Sequence, residues 1–182
     1  MPLREISHPS IATDLRYAKP DNFTGRTIYD HAVAYLHVDA FAALVRAAEL
    51  AQAQGLRLLV LDAYRPAAAQ WRLWEALPDP RFVADPRIGS MHTRGVAVDL
   101  TLCNASGQPL DMGTAFDEMT EQSFQGATDI APQAQRNRCV LLGLMTLAGW
   151  THHPYEWWHY NLPDPTRYPP LSDGAEGAFL MD

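Results

Sequence analysis

Lysine is almost absent from this 182-residue chain, and its scarcity excludes several kinds of chemistry. Among the 14 lysines and arginines together, only Lys19 is a lysine. A phosphate-binding loop requires a Gly-Lys-Ser/Thr step, and the sequence contains none. A Schiff-base mechanism would depend on Lys19 alone. The reactive groups that remain are imidazole, carboxylate and guanidinium, since the chain has 7 histidines and 21 acidic residues.

Four further absences limit the partners, the location and the covalent chemistry that we expect of this protein. The net charge is −7 and no run of arginines is present, so we expect no nucleic-acid partner. No apolar run approaches the roughly 18 residues of a membrane span, and residues 1–10 lack the apolar core of a secretion signal. We therefore expect no membrane partner and a cytoplasmic location. Cys103 and Cys139 are the only cysteines, and we expect free thiols rather than a disulfide framework or a metal knuckle.

The pattern of apolar residues predicts a single α+β domain over residues 1–182. Helices are predicted over 39–54, 67–77 and 134–148, and strands over 56–61, 95–102 and 155–160. Because strands and helices do not alternate regularly as βαβ units, a mainly antiparallel sheet flanked by helices is favoured over a doubly wound sheet. Asp39 is expected to cap the first helix, and the proline-rich segment 163–182 is expected to form a surface tail.

The strand predicted over 95–102 alternates between two kinds of side chain. Its aliphatic face consists of Val96, Val98, Leu100 and Leu102, and its small or polar face consists of Ala97, Asp99 and Thr101. A carboxylate at Asp99 is costly to bury without a partner. Asp99 is therefore either a structural residue, in an ion pair or hydrogen bond, or part of a site in a cleft.

Two histidines turn Asp99 into a candidate metal ligand. His92 precedes it by seven residues, and His159 belongs to a separate aromatic segment. Each histidine alone is more often a packed core residue than a ligand. Two histidines and one carboxylate together match a catalytic zinc site, in which three protein ligands leave the fourth position to water. This set predicts one Zn²⁺ per chain.

Glu156 is the candidate base for such a water, because it lies three residues before His159. One geometric difficulty arises, since residues i and i+3 of a regular strand face opposite sides. The two side chains can share a site only if the segment is bent, bulged or at the edge of a cleft.

Arg65 has two interpretations that the residues alone do not separate. It follows a strand and precedes a helix, where its guanidinium could stabilise the oxyanion of a tetrahedral intermediate. Alternatively, it pairs with Asp62 or another nearby acid.

Together these segments resemble the D-alanyl-D-alanine dipeptidases, the zinc enzymes associated with vancomycin resistance and cell-wall precursor turnover. The resemblance is carried by residues 90–99 and the Glu-Trp-Trp-His block at 156–159, and also by 14–18 with 22–25, 64–66, 112–117 and 137–138. It implies the fold of the lysostaphin, D-Ala-D-Ala peptidase and hedgehog group. It also implies that zinc is bound by His92, Asp99 and His159.

The resemblance further implies roles for five residues around the metal. Glu156 would act as general base and acid, and Arg65 would polarise the scissile carbonyl or bind the oxyanion. Ser90 would help to anchor the substrate carboxylate, whereas Asp117 and Tyr17 would help to hold the substrate ammonium. The expected partner is therefore a small dipeptide, and the expected reaction is hydrolysis of D-alanyl-D-alanine to two D-alanines.

Two other functions remain open from the sequence. A carboxypeptidase or peptidoglycan endopeptidase would use the same metal site with an open cleft. A non-catalytic zinc-binding module would need no base at Glu156. The sequence decides neither the oligomeric state nor whether His152 and His153 are surface residues or belong to the cleft rim.

Overall fold

A computed structural model of the chain describes residues 3–174 and 177–181. The strands in these ranges are β1 (Leu3–Glu5), β2 (Ile11–Thr13), β3 (Tyr35–His37), β4 (Arg57–Asp62), β5 (Ala97–Cys103), β6 (Thr151–His153) and β7 (Glu156–Asn161). The α-helices are α1 (Val38–Gln52), α2 (Ala67–Ala76) and α3 (Pro132–Leu147).

Five of the strands form one sheet in the order β2-β4-β5-β7-β6. Only the β2–β4 pair in this sheet, as the described residues define it, is parallel. The other three pairs are antiparallel, and β1 and β3 form a separate antiparallel pair. The predicted α+β class with a mainly antiparallel sheet is therefore confirmed.

The central strand β5 is covered on both faces. Val98, Leu100 and Leu102 are completely buried, as their alternation predicts. They belong to the apolar core that also includes the inward faces of α1 and α3. Asp99 and Thr101 on the opposite face are buried as well. Asp99 therefore lies in the interior of the domain, where a carboxylate requires partners.

The start of α1 corrects one expectation, because Asp39 does not cap the helix. The cap is His37, whose side chain accepts a hydrogen bond from the backbone amide of Asp39 at 3.2 Å. The physical reason is the preceding strand, since β3 ends at His37 and keeps the backbone of that residue extended, as an N-cap requires. Asp39 falls in the first turn, where its charge favours the helix dipole.

The C-terminal segment is more than the expected surface tail. Residues 163–174 are mostly exposed or half-buried, but Ala178, Leu180 and Met181 are buried. The carbonyl oxygen of Leu180 accepts a hydrogen bond from the amide of Asp30 at 2.8 Å. Burial of these apolar side chains draws the end of the chain back onto the domain.

The structure also bears on two expectations from the sequence, free cysteines and the lack of a membrane-spanning helix. Cys103 is buried and Cys139 is exposed, and both are free thiols. No helix within 3–174 or 177–181 is long and apolar enough to cross a membrane.

Candidate metal centre and active site

Two neighbouring strands and one helical turn bring His92, Asp99 and His159 together. Asp99 on β5 lies directly opposite His159 on β7 in the antiparallel register. His92 begins a short 3-10 turn that immediately precedes β5. The turn ends at Gly95 with a φ of +70°, a left-handed conformation that glycine adopts readily. This reversal brings the imidazole of His92 to the pair on the sheet.

The donor atoms of these three side chains lie close enough to share one cation. Oδ1 of Asp99 is 3.0 Å from Nδ1 of His159 and 3.3 Å from Nε2 of His92. The two nitrogens are 3.1 Å apart. Tetrahedral ligands at the usual zinc bond lengths lie about 3.3 Å from one another. The observed separations therefore fit three corners of a zinc tetrahedron.

A hydrogen bond between Nδ1 of His92 and the backbone favours one tautomer of this imidazole. Nδ1 of His92 lies 2.7 Å from the carbonyl oxygen of Ala63. A carbonyl oxygen can only accept, so Nδ1 carries the proton and Nε2 presents its lone pair. Metal-binding histidines commonly donate their second ring N–H in this way.

The protonation states of the cluster also suit metal binding. Burial alone would raise the pKa of Asp99, but the adjacent His92 and His159 outweigh it and hold this pKa well below its ordinary value. Burial lowers the pKa of His159, and this effect exceeds the opposing effect of Asp99. Near neutral pH the site therefore offers an ionised carboxylate and a neutral imidazole, as a divalent cation requires.

A bulge in β7 resolves the geometric difficulty at Glu156. His152 lies opposite Tyr160, whereas the next residue, His153, lies opposite Glu156. Residues 157–159 are therefore extra on β7 relative to β6. The bulge turns Glu156 to the side of His159, and Oε2 of Glu156 is 3.7 Å from Nδ1 of His159.

The carboxyl group of Glu156 is buried next to other acids. Burial, followed by the charges of Asp99 and Asp117, raises the pKa of Glu156 well above its ordinary value. A cation bound at the three ligands would oppose this effect, because it favours the carboxylate form. The protonation of Glu156 is thus linked to whether the three ligands hold a cation.

Arg65 forms the ion pair that was one of its two interpretations. Its Nη2 is 2.7 Å from Oδ2 of Asp62, and its Nε donates to the same oxygen at 2.9 Å. Nη1 donates to Oε1 of Gln70 at 2.9 Å. Asp62 also accepts a hydrogen bond from the hydroxyl of Tyr29 at 2.8 Å. Nη2 of Arg65 also lies 3.5 Å from Oδ2 of Asp99. The contacts with Asp62 and Gln70 leave the second N–H of Nη1 for another acceptor.

One cavity of about 220 Å³ collects every residue that the sequence singled out for the site. The lining includes Tyr17, Arg65, Ser90, His92, Asp99, Asp117, Glu156 and His159. The volume is below the roughly 300–1,000 Å³ of pockets for drug-sized ligands. The site is therefore suited to a small substrate.

The three residues expected to contact the ends of a substrate differ in how they are held. The hydroxyl oxygen of Ser90 accepts a hydrogen bond from the amide of His92 at 3.2 Å, which leaves its proton free to donate. The ring of Tyr17 packs against the guanidinium of Arg65, with its centroid 5.1 Å from Cζ. Burial, and then the charge of Asp99, raises the pKa of Asp117 well above its ordinary value.

Sequence reasoning missed the contribution of two residues, Asp62 and Gln70, to the site. Asp62 was considered only as a partner of Arg65, although it is completely buried. Gln70 is also buried and connects Arg65 to the carbonyl oxygen of Ala84, to which its amide donates at 2.7 Å. The sequence signal that could have identified Gln70 is its position as a polar residue on the buried face of α2.

The undecided pair of histidines separates clearly in the structure. His152 is exposed, whereas His153 lines the cavity, with Nδ1 3.9 Å from Oε2 of Glu156. Burial and the neighbouring His159 lower the pKa of His153 to about 4. His153 is therefore a neutral part of the cavity wall near pH 7.

Two histidines and a carboxylate beside a buried glutamate are the donor set and base typical of metallopeptidases. Residues 1–173 match the peptidase family described as D-Ala-D-Ala dipeptidase. The D-alanyl-D-alanine dipeptidase of Escherichia coli strain K12 is 47% identical over 168 residues, which cover 92% of this chain and 87% of that protein. The D-alanyl-D-alanine dipeptidase of Enterococcus faecium is 34% identical over 183 residues, which cover 89% of this chain and 90% of that protein.

Among solved structures, a zinc complex of a variant of the vancomycin resistance D,D-pentapeptidase VanY is similar with a TM-score of 0.47 and 16% identity. The similarity covers 75% of this chain and 77% of that one. The sequence matches, which extend over most of the chain, establish its family. The chain belongs to the D-Ala-D-Ala dipeptidase family.

Proposed function

We propose that this protein is a zinc-dependent dipeptidase that hydrolyses D-alanyl-D-alanine to two D-alanines. The observation that carries the proposal is the convergence of a metal-binding triad and a buried glutamate on one small cavity. Membership of the D-Ala-D-Ala dipeptidase family agrees with this substrate.

His92, Asp99 and His159 would hold the zinc ion, one per chain. When bound, zinc lowers the pKa of a water molecule to about 7 and polarises a carbonyl group. Ala63 keeps His92 in the required tautomer through its carbonyl oxygen. Asp99 remains ionised because the neighbouring imidazoles stabilise its charge.

Glu156 moves the proton in the proposed reaction. Its Oε2 accepts a proton from the attacking water and later donates it to the nitrogen of the leaving D-alanine. A base beside the metal site is supported by the distance of 3.7 Å between Oε2 of Glu156 and Nδ1 of His159, and Glu156 is not part of the three-residue metal cluster.

Arg65 stabilises the negative charge that develops on the carbonyl oxygen. Its contacts with Asp62 and Gln70 hold the guanidinium in one orientation. Donors that are already oriented need no reorganisation when charge develops, which is the main source of oxyanion stabilisation. The ion pair with Asp62 is thus compatible with a catalytic role for Arg65.

The two ends of the cavity account for a preference for a dipeptide. Asp117, with Tyr17 beside it, would pair with the free ammonium, and Ser90 would donate to the free carboxylate. A longer peptide would replace one of these charges with an amide and leave a buried group unpaired. Sites of this kind reject such analogues strongly.

The decisive assay measures release of free D-alanine from D-alanyl-D-alanine, with chelator and after zinc is added back. We expect release from the dipeptide, loss with chelator, recovery with zinc, and little release from a tripeptide that ends in D-Ala-D-Ala. Equal cleavage of the two substrates would instead identify a carboxypeptidase or endopeptidase. Stoichiometric zinc without hydrolysis would identify a non-catalytic zinc-binding module.

The proposal also covers the partners of the protein and its cellular location. The partner is a small dipeptide, and neither nucleic acid nor a membrane is expected. The cytoplasmic location stays a prediction, which fractionation of the native host followed by immunodetection would check.

A further inference from the structure

Arg138 is a buried arginine of α3 whose hydrogen bonds go mainly to backbone carbonyls. Its Nε donates to the carbonyl oxygen of Met112 at 2.6 Å. Its Nη1 donates to the carbonyl oxygens of Gln122 and Phe124 at 2.9 and 3.0 Å. Only 2% of Arg138 is exposed. The guanidinium therefore joins the two ends of the loop formed by residues 112–124.

The bonding partners of Arg138 are unusual for a buried charge. Every hydrogen bond of its side chain within the described part of the chain ends on a neutral oxygen, the fourth being Oγ1 of Thr114 at 3.4 Å. A buried charge without a carboxylate partner is costly, and an apolar side chain of similar volume would cost less. The guanidinium, however, carries five N–H donors in one rigid plane, and this fixed geometry lets Arg138 hold three carbonyl oxygens at once.

A second set of contacts ties the same loop to β7. The indole Nε1 of Trp157 donates to Oγ1 of Thr114 at 2.8 Å, and Oγ1 of Thr114 lies 3.0 Å from the hydroxyl of Ser123. The guanidinium of Arg138 lies 5.7 Å from the ring centroid of Trp157. Trp157 directly follows Glu156, so the loop is positioned against the strand that carries the proposed base.

Asp117 lies in the middle of this loop and requires support from it. Its φ of +60° is in the left-handed region, which is uncommon for a residue other than glycine. Its Oδ2 is buried and has no hydrogen-bond partner among the described residues, and the side chain lines the cavity. A desolvated carboxylate favours exposure to water. The loop must therefore be anchored at both ends to keep Asp117 inward.

We propose that Arg138 is a positioning residue that holds Asp117 in the cavity and thereby sets the preference for substrates with a free ammonium group. This inference rests on the proposed function, because it requires Asp117 to pair with the ammonium. Arg138 acts through the 112–124 loop and is not itself a catalytic residue.

The test compares kcat/KM for D-alanyl-D-alanine with kcat/KM for D-lactoyl-D-alanine, in which a hydroxyl replaces the ammonium. The ratio of the two values does not depend on the fraction of active protein, so a general loss of stability cannot change it. We expect Arg138→Lys to lower the ratio at least about tenfold, as when a hydrogen bond to a charged group is lost. The change should be mainly in KM. Asp117→Asn should lower the ratio at least as much.

Arg136→Lys is the matched control on the same helix. Arg136 is exposed and its side chain bonds only to Gln133 among the hydrogen bonds of the described residues, so its variant should keep the wild-type ratio. In the double variant of Arg138→Lys and Asp117→Asn, the ratio should fall no further than with Asp117→Asn alone. If Arg138→Lys does not fold, Thr114→Val replaces it, because it removes the hydroxyl shared by Trp157 and Arg138 and should also lower the ratio.

Three other results would contradict, in turn, the positioning role of Arg138, the role of Asp117 and the proposed function. Equal losses on both substrates with Arg138→Lys, while Asp117→Asn collapses the ratio, would show a purely structural role for Arg138. An unchanged ratio with Asp117→Asn would remove both the role of Asp117 and this inference, although hydrolysis would stand. Wild-type protein that releases no D-alanine from either substrate would instead overturn the proposed function.

Discussion

Nε2 of His92 lies 3.1 Å from Nδ1 of His159, although 67 residues separate them in the chain. Nδ1 of His92 lies 2.7 Å from the carbonyl oxygen of Ala63, so in the neutral tautomer Nε2 presents a lone pair to the cluster. Oδ1 of Asp99 approaches both nitrogens and is an acceptor as well. These three atoms lie close enough together to bind one cation, and this relationship underlies the first two predictions.

Removal of one ligand should abolish zinc binding. We expect His92→Ala to reduce zinc from about one ion per chain to a small fraction, because two ligands alone rarely retain the metal. The measurement is elemental analysis after dialysis of metal-replete protein. His152→Ala is the control, since this histidine is exposed and should leave the zinc content unchanged. Equal zinc in both variants would contradict the site.

Glu156→Gln should separate metal binding from turnover. The amide keeps the shape of the side chain but cannot accept the proton of a water, so we expect kcat to fall about 10²- to 10⁴-fold. Zinc content should stay at the wild-type level, because Glu156 is not among the three proposed ligands. Glu75→Gln, an exposed position on α2, should keep full activity. Full activity of Glu156→Gln would exclude it as the base.

Asp117→Asn should stabilise the metal-free protein while it weakens substrate binding. Burial raises the pKa of Asp117 in the folded state. The resulting cost is absent below the unfolded pKa of about 3.9 and grows as the pH rises towards the folded pKa. Asparagine avoids this cost and tolerates a positive φ.

We therefore expect Asp117→Asn to raise the free energy of unfolding by about 1–3 kcal/mol at pH 7. The difference from wild type should vanish near pH 4. Urea unfolding of both proteins in the presence of chelator, at a series of pH values, measures this directly. A difference that is constant with pH would show that the ionisation of Asp117 is not its cause.

Gly95→Ala should disturb the turn that presents His92. An added Cβ would lie 2.9 Å from Cδ2 of Leu3 and 3.1 Å from the backbone nitrogen of His37. The left-handed conformation alone costs a residue with a side chain about 1–2 kcal/mol. We expect a lower Tm and weaker zinc binding. Gly126→Ala is the control, because a Cβ there meets no atom within 4 Å and the backbone is not left-handed.

Much of the candidate site could be predicted, because two histidines and a carboxylate are the side chains that typically bind a catalytic zinc ion. Two histidines and one carboxylate together predicted a zinc site at His92, Asp99 and His159, and the proximity of Glu156 to His159 in the sequence made it the candidate base. The alternation over β5 correctly placed Asp99 on the face opposite the aliphatic residues. Arg65 could not be assigned in this way, because an ion pair and a catalytic role were equally compatible with the sequence. In the structure Arg65 forms an ion pair with Asp62 and also lines the cavity.

The sequence by itself determined the antiparallel α+β class, the candidate metal-binding set and the buried strand that carries Asp99, because hydrophobic periodicity and residue chemistry are local properties. Only the tertiary structure decided that a bulge in β7 turns Glu156 towards His159. It also decided that Arg138 bonds to both ends of the loop that contains Asp117. Both depend on strand register and on contacts between residues far apart in the chain, which packing selects and local sequence does not encode.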